Sequence, residues 1–216
     1  MKRRDFSVCA LTAALAGSVL LRPAQAQIRK PEAGREYFKL ARQVPVEAPS
    51  GKIEVVEFFW YNCPHCNAFE PSLEAWSKRL PADVVLRRIP VGFRDDFVPQ
   101  QRLFFSLQSM GLVDKLHGKV FTAIHDDRMD LTRGDAIAGW VAQQGVDRAK
   151  FAAAYNSPEI GKLVSQATAL QEAYGVEGVP ALGVAGRYYT DGAIAGSMAR
   201  VLQVVDYLLG DVRAGK

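Results

Sequence analysis

Cys63 and Cys66 stand three residues apart in Cys63-Pro64-His65-Cys66, a pattern suited to thiol–disulfide exchange. The run before them, Lys52 to Tyr61, is apolar, β-branched and aromatic and reads as a buried central strand. The run after them, Asn67 to Leu80, reads as a helix, with Phe69, Leu73 and Trp76 on one face. The pair therefore falls where a strand ends and a helix begins. The first turn of a helix leaves N–H groups unpaired and carries partial positive charge. A cysteine there is stabilised as thiolate, the reactive form. Pro64 suits the first helical position, where its missing N–H has no intrahelical partner to lose. Cys63 is expected to be the exposed, low-pKa nucleophile. Cys66, one turn further in, is close enough to form a disulfide and to resolve a mixed one. His65 can offer an N–H, and positive charge when protonated, to the Cys63 sulfur.

Other side chains bear on the same chemistry. Glu57 is an acid between Val56 and Phe58, with apolar neighbours on both sides. Buried there, its carboxyl has a raised pKa and can take a proton from Cys66 during exchange. Glu70 follows the cysteines, either as a surface charge or as an electrostatic influence on the thiols, and Pro71 is expected to kink the helix. Trp60 and Tyr61 stand close enough to the motif to line a substrate surface. A zinc half-site is the rival use of a cysteine pair, but a structural zinc site needs four ligands. Outside residues 1–26 the chain offers no further cysteine, and His65, His117 and His125 are its only histidines. No metal and no cofactor is expected, and His117 and His125 read as ordinary surface or packing residues.

The first 26 residues read as a cleaved secretory signal. Lys2, Arg3 and Arg4 make a basic start, Phe6 to Leu21 an apolar core, and Ala24-Gln25-Ala26 a small-x-small cleavage site. Arg3-Arg4-Asp5-Phe6 also resembles a twin-arginine export signal, so the export route stays open. Cleavage removes Cys9 and leaves 190 residues, enough for one domain or for a domain with a large insertion. The net charge of +4 falls to about +1, because the leader holds Lys2, Arg3, Arg4 and Arg22 against Asp5. No nucleic-acid-binding pattern is present. One close cysteine pair in an exported chain is not a disulfide scaffold, and so small a loop restrains little of the unfolded chain.

Further along, Glu36 to Leu40 reads as a short first strand and Val84 to Val91 as another. From Arg94 to Gly175 helical spacing takes over. The segments are Pro99–Met110, Leu112–His125, Arg133–Gln144, Arg148–Tyr155 and Pro158–Tyr174. Thr132 with Asp135 resembles a capping box, and Asp147 and Ser157-Pro158 mark further helix starts. Strand signals return at Ala181–Ala185 and Arg187–Thr190, which suggest a hairpin around Gly186. Asp191-Gly192 is a turn signal. Ser197 to Leu209 is a final amphipathic helix. The order makes one α/β sheet from two halves, with a helical block inserted between them.

These features resemble the DsbA family, the exported thiol oxidases of the thioredoxin superfamily. The matching residues are Val56-Glu57-Phe58-Phe59, the Cys63-Pro64-His65-Cys66 motif with Phe69 and Glu70, and Gly178-Val179-Pro180-Ala181. The helical insertion and the export signal match as well. The resemblance implies a thioredoxin-like α/β fold, with residues 27–95 and 176–216 forming the thioredoxin-like domain and 96–175 an inserted helical domain. It implies a cis Pro180 facing the disulfide, and a Val179 backbone free to pair with an extended substrate. It supports the proton-acceptor role of Glu57. The implied catalytic set is Cys63, Cys66, His65, Pro64 and Glu57, with Val179 and Pro180 binding substrate.

The activity so implied is a periplasmic protein disulfide oxidoreductase that donates its Cys63–Cys66 disulfide to newly exported, unfolded proteins. A quinone-linked membrane oxidase of the DsbB type is the implied reoxidising partner, and a monomer the implied state. A disulfide is oxidising when its reduced form is stabilised. A depression of ~3 units at Cys63 is worth ~4 kcal/mol, or about 90 mV. The alternative is a disulfide isomerase or reductase of the same superfamily. A peptide-binding chaperone and a copper or zinc carrier are rivals of other classes.

Overall fold

The computed structural model describes residues 29–215. The export signal, Cys9 and the paired arginines lie outside the described residues. The strands are β1 (Phe38–Lys39), β2 (Ile53–Phe59), β3 (Val84–Pro90), β4 (Ala181–Val184) and β5 (Tyr188–Asp191). Helix α1 (Pro64–Ser77) lies between β2 and β3. A short 3₁₀ turn at Asp95–Phe97 opens the helical block of α2 (Val98–Ser109), α3 (Val113–His125), α4 (Gly134–Gln143), α5 (Arg148–Tyr155) and α6 (Pro158–Tyr174). After β5 come α7 (Gly192–Ala195) and α8 (Met198–Arg213). This is the α/β order expected from the sequence.

The five strands form one sheet in the order β1-β5-β4-β2-β3. Strand β2 is interior, parallel to the edge strand β3 and antiparallel to the middle strand β4. Side chains alternate between faces along a strand, so β2, covered on both faces, is apolar on both apart from the buried Glu54 and Glu57. Val55 joins a core with Leu73 and Trp76 of α1 and Val201, Val205 and Leu208 of α8. Val56, Phe58 and Phe59 join the other core, built with the helical block. Phe59 sits edge-on to Tyr61 and Phe104 at 5.1 and 5.3 Å between centroids. Losing one such buried ring costs ~3–5 kcal/mol. Tyr174 ties α6 to the sheet. Its ring lies where a Cβ on Gly183 would be 2.2 Å away, and its hydroxyl accepts from the Gly186 N–H at 3.1 Å.

Several local readings hold and several need correction. Asp147 accepts from the Lys150 N–H at 2.8 Å, and Ser157 Oγ accepts from the Ile160 N–H at 3.2 Å. The hairpin turn places Ala185 and Gly186 at φ 54° and 66°, the paired positive values of a type I′ turn. The expected strand Glu36–Leu40 shrinks to Phe38–Lys39, because only those residues pair with β5. Asp191 ends β5 and caps α7, accepting from the Ala193 and Ile194 N–H groups at 2.8 and 2.9 Å, so Asp191-Gly192 is a helix start. Thr132 forms no capping box. Its hydroxyl donates to Asp130, and α4 starts at Gly134 without a side-chain cap. Helix α1 begins at Pro64 and runs without a break through Pro71.

Candidate active site: the cysteine pair and the buried carboxylates

Cys63 is the N-cap of α1, with extended backbone at φ −81° and ψ 117°, and Pro64 follows at the first helical position. The strand-to-helix placement read from the sequence is therefore the observed one. Both cysteines are present as thiols. The Cys66 thiol donates to the Cys63 sulfur, and this bond is the largest influence on Cys63. Burial opposes it, while the Cys66 and His65 backbone N–H groups and the charge of His65 reinforce it, and the net result brings Cys63 down to about 6. Burial, then the same hydrogen bond, pushes Cys66 far above the ordinary thiol value. One thiol is thus ready to ionise and the other is held protonated.

The expectation of an exposed Cys63 needs correction. It is 8% exposed and Cys66 1%. Cys63 Sγ lies 3.4 Å from the Val179 carbonyl oxygen, across the site from the motif. The Val179-Pro180 peptide bond is cis. Pro64 and His65 are exposed, Val179 is half-buried and Pro180 buried. His65, Val179, Pro180, Gly192 and Met198 line a groove of about 410 Å³ beside the cysteines. The structure thus gathers Cys63, His65, Val179 and Pro180 on one rim.

Glu57 is 1% exposed. Burial drives its carboxyl up to about 8, with Arg88 opposing and the charge of Glu70 adding to the rise. Its charge also reaches Cys66 and helps to push that thiol up. Arg88 is its register partner on β3. Arg88 Nε lies 3.1 Å from Glu57 Oε2, and its Nη2 donates to Glu70 Oε1 at 2.7 Å. Glu70 is therefore linked to Glu57 through the part-buried Arg88 guanidinium. Arg88 was missed at the sequence level, although an arginine pair inside the apolar strand Val84–Val91 was the available signal.

Tyr61 does not line a substrate surface. It is 1% exposed, and its hydroxyl lies 2.8 Å from His117 Nδ1. His125 Nε2 donates to the Tyr61 carbonyl at 2.8 Å. His117 and His125 are thus not free surface residues. They bracket Tyr61 from α3, and their eight-residue spacing puts both on neighbouring faces of that helix. Gln100 of α2 donates to Asn62 Oδ1 at 2.7 Å, and Trp60 stacks on Phe97 at 4.0 Å. The residues leading into Cys63 are therefore held by the helical block. Among the described residues, no group of three or more His, Cys, Asp or Glu side chains is arranged to hold a metal ion. No described helix is long and apolar enough to cross a membrane.

Comparison with known proteins agrees with this architecture. The family model described as "DSBA-like thioredoxin domain" matches residues 89–203, a span that begins after the cysteine motif. The chain is 43% identical over 211 residues to the thiol:disulfide interchange protein DsbA of Bordetella parapertussis, covering 97% of this chain and 98% of the relative. It is 44% identical over 204 residues to the protein of that name from Pseudomonas aeruginosa, covering 94% and 96%. The crystal structure of Pseudomonas aeruginosa DsbA superposes with a TM-score of 0.81 at 43% identity, covering 86% of this chain and 96% of that one. DsbA from Xylella fastidiosa gives 0.80 at 33% identity, covering 86% and 100%. The fold is therefore thioredoxin-like, and the chain belongs to the DsbA family.

Proposed function

We propose that this chain is a protein disulfide oxidoreductase that donates the Cys63–Cys66 disulfide to unfolded, newly exported proteins. The supporting observation is the asymmetry of the pair: Cys63 at the start of α1 is brought down to about 6, while Cys66 is pushed far up. A substrate thiolate attacks the Cys63 sulfur, the Cys63–Cys66 bond breaks, and Cys66 leaves and takes a proton. A second substrate thiolate attacks the substrate sulfur of the mixed disulfide, and Cys63 leaves as a stable thiolate. Two electrons and the accompanying protons pass from the substrate to the enzyme. A stabilised leaving thiolate makes the disulfide oxidising.

In this reading Pro64 and His65 keep the first helical turn rigid and electropositive beside Cys63. Glu57, raised to about 8, is protonated at neutral pH and exchanges a proton with Cys66, which leaves poorly as a bare thiolate. Val179 and Pro180 present backbone and an apolar ring to an extended substrate in the groove with Met198. The names of the relatives support interchange of thiols and disulfides. Residues 27–95 with 176–216 act as the redox domain and 96–175 as an inserted helical domain. The mature chain works as a periplasmic monomer, reoxidised by a DsbB-type membrane partner.

The test is oxidation of a reduced, unfolded protein by the disulfide form under anaerobic conditions. The expected result is stoichiometric disulfide formation that Cys63→Ser abolishes. Cys66→Ser, preloaded at Cys63 with thionitrobenzoate as a mixed disulfide, should exchange that group for a substrate thiol and give an enzyme–substrate mixed disulfide visible by mass. Undiminished oxidation by Cys63→Ser would contradict the proposal.

A further inference from the structure

His117 comes from α3 in the helical block, yet it ends among the carboxylates beneath the cysteines. It is 4% exposed, and Nε2 lies 3.5 Å from Glu70 Oε2. Neither atom meets hydrogen-bond geometry with another described group. Burial, only partly opposed by Glu70, holds His117 below its ordinary value, so the ring is neutral at pH 7 and carries one N–H. Burial pushes Tyr61 well up, so its hydroxyl stays protonated.

These constraints choose the tautomer. With the proton on Nδ1, the Tyr61 hydroxyl has no acceptor among the described groups, and the Nε2 lone pair faces the Glu70 carboxylate. With the proton on Nε2, Tyr61 O–H donates to Nδ1 and Nε2–H points at Glu70. Only the second arrangement pairs the Tyr61 hydroxyl and turns an N–H instead of a lone pair toward Glu70 at 3.5 Å, and a buried polar group left unpaired costs ~1–3 kcal/mol.

We infer that His117 is a positioning residue for thiol exchange: oriented by Tyr61 through Nδ1, it holds the Glu70 charge through Nε2–H and so sets how readily Glu57 gives up its proton beside Cys66.

The other charges around this point are accounted for. Glu57 comes from β2, Arg88 from β3, and Glu74 from α1, where it pairs with Lys78 at 3.1 Å and with Arg88 at 3.6 Å. Asp114 of α3 and Asp126 after it line a cleft of about 530 Å³ that also contains Glu70, Arg88 and His117. Glu70 raises Glu57 through its charge, and Arg88 lowers it. If His117 no longer offers an N–H to Glu70, that charge is less compensated and Glu70 draws harder on Arg88. Both effects move Glu57 upward.

The link to exchange rests on the disulfide-donor reading, but the test does not, so the two can fail separately. The reduced full-length protein carrying ¹³C in its glutamate carboxyls is titrated by NMR, with the Glu57 signal identified by its loss in Glu57→Gln. His117→Phe keeps a ring among Phe59, Phe104 and Phe121 but removes both nitrogens, and should raise the Glu57 inflection by about half a unit or more. Tyr61→Phe removes only the orienting hydroxyl and should shift it the same way by less. His117→Gln places an amide near the Nε2 position and should restore most of the wild-type inflection. A lowered melting temperature with an unmoved inflection in His117→Phe would mean a purely structural role and overturn the inference. Should His117→Phe fail to fold, an unmoved inflection in Tyr61→Phe overturns it equally.

Discussion

Cys63 Sγ and the Val179 carbonyl oxygen lie 3.4 Å apart although 116 residues separate them in the chain. The contact suits a thiol, which can donate to a carbonyl. Once Cys63 ionises, the sulfur can only accept, and the Cys66 thiol and the first N–H groups of α1 become its partners. Ionisation therefore removes the hydrogen bond from Cys63 to the Val179 carbonyl.

The first consequence is a pH signature of the reduced protein. Cys63 falls from its ordinary value to about 6 in the folded chain. A depressed folded value stabilises above the unfolded value, and that stability is lost as pH falls through about 6. The melting temperature of the reduced form relative to the oxidised form should thus rise between pH 6 and 9. The gain approaches ~4 kcal/mol for a three-unit gap and less with solvent screening. Thiolate absorbance should titrate with a midpoint near 6 and vanish in Cys63→Ser. A midpoint at the ordinary thiol value would refute the assignment.

Glu57 should show the opposite linkage. Its folded value is raised from 4.5 to about 8, so the unfolded chain releases this proton first, and stability falls as pH rises from the ordinary carboxylate value and levels off above about 8. Glu57→Gln removes the cost. The variant should gain stability over wild type between pH 5 and pH 9 by on the order of 1–3 kcal/mol. Thermal unfolding across that range measures it, and a difference independent of pH would speak against a raised carboxyl.

The groove beside Pro180 makes a separate claim. Met198→Asp places a charge among His65, Val179 and Pro180 without touching either cysteine. Oxidation of an unfolded protein should weaken about tenfold in KM, or ~1.4 kcal/mol, while equilibration with glutathione stays unchanged. Equal loss toward both partners would show that the groove shapes the thiols and not substrate binding.

Packing between the helical block and the sheet gives a stability prediction. A methyl on Gly183 would meet the Tyr174 ring at 2.2 Å. Gly183→Ala should cost ~1–3 kcal/mol by overpacking, read as a lower melting temperature. Tyr174→Leu in the same chain should recover part of the loss.

Much of this site was legible in the sequence because it lies in contiguous runs. The strand, the motif and the helix of residues 53–77 follow one another, and an acid between Val56 and Phe58 marks Glu57. What was not legible arrives from elsewhere in the chain. Arg88 depends on the parallel register that sets it opposite Glu57. His117, His125 and Gln100 act only because α2 and α3 fold back onto Tyr61 and Asn62. Helical spacing gives the faces of α3 but not what those faces meet. Asp191 and Thr132 failed for a local reason: short polar side chains serve turns, caps and neighbouring acids alike, and tertiary packing chooses among these.

The most direct test of disulfide donation is the equilibrium of the Cys63–Cys66 pair against glutathione. Trp60, three residues before Cys63 and stacked on Phe97, is a built-in fluorescent reporter. A stabilised Cys63 thiolate should leave the pair reduced even in mildly oxidising glutathione buffer, the behaviour of a strong oxidant. A pair that stays oxidised in strongly reducing buffer would mark a reductant and contradict the account.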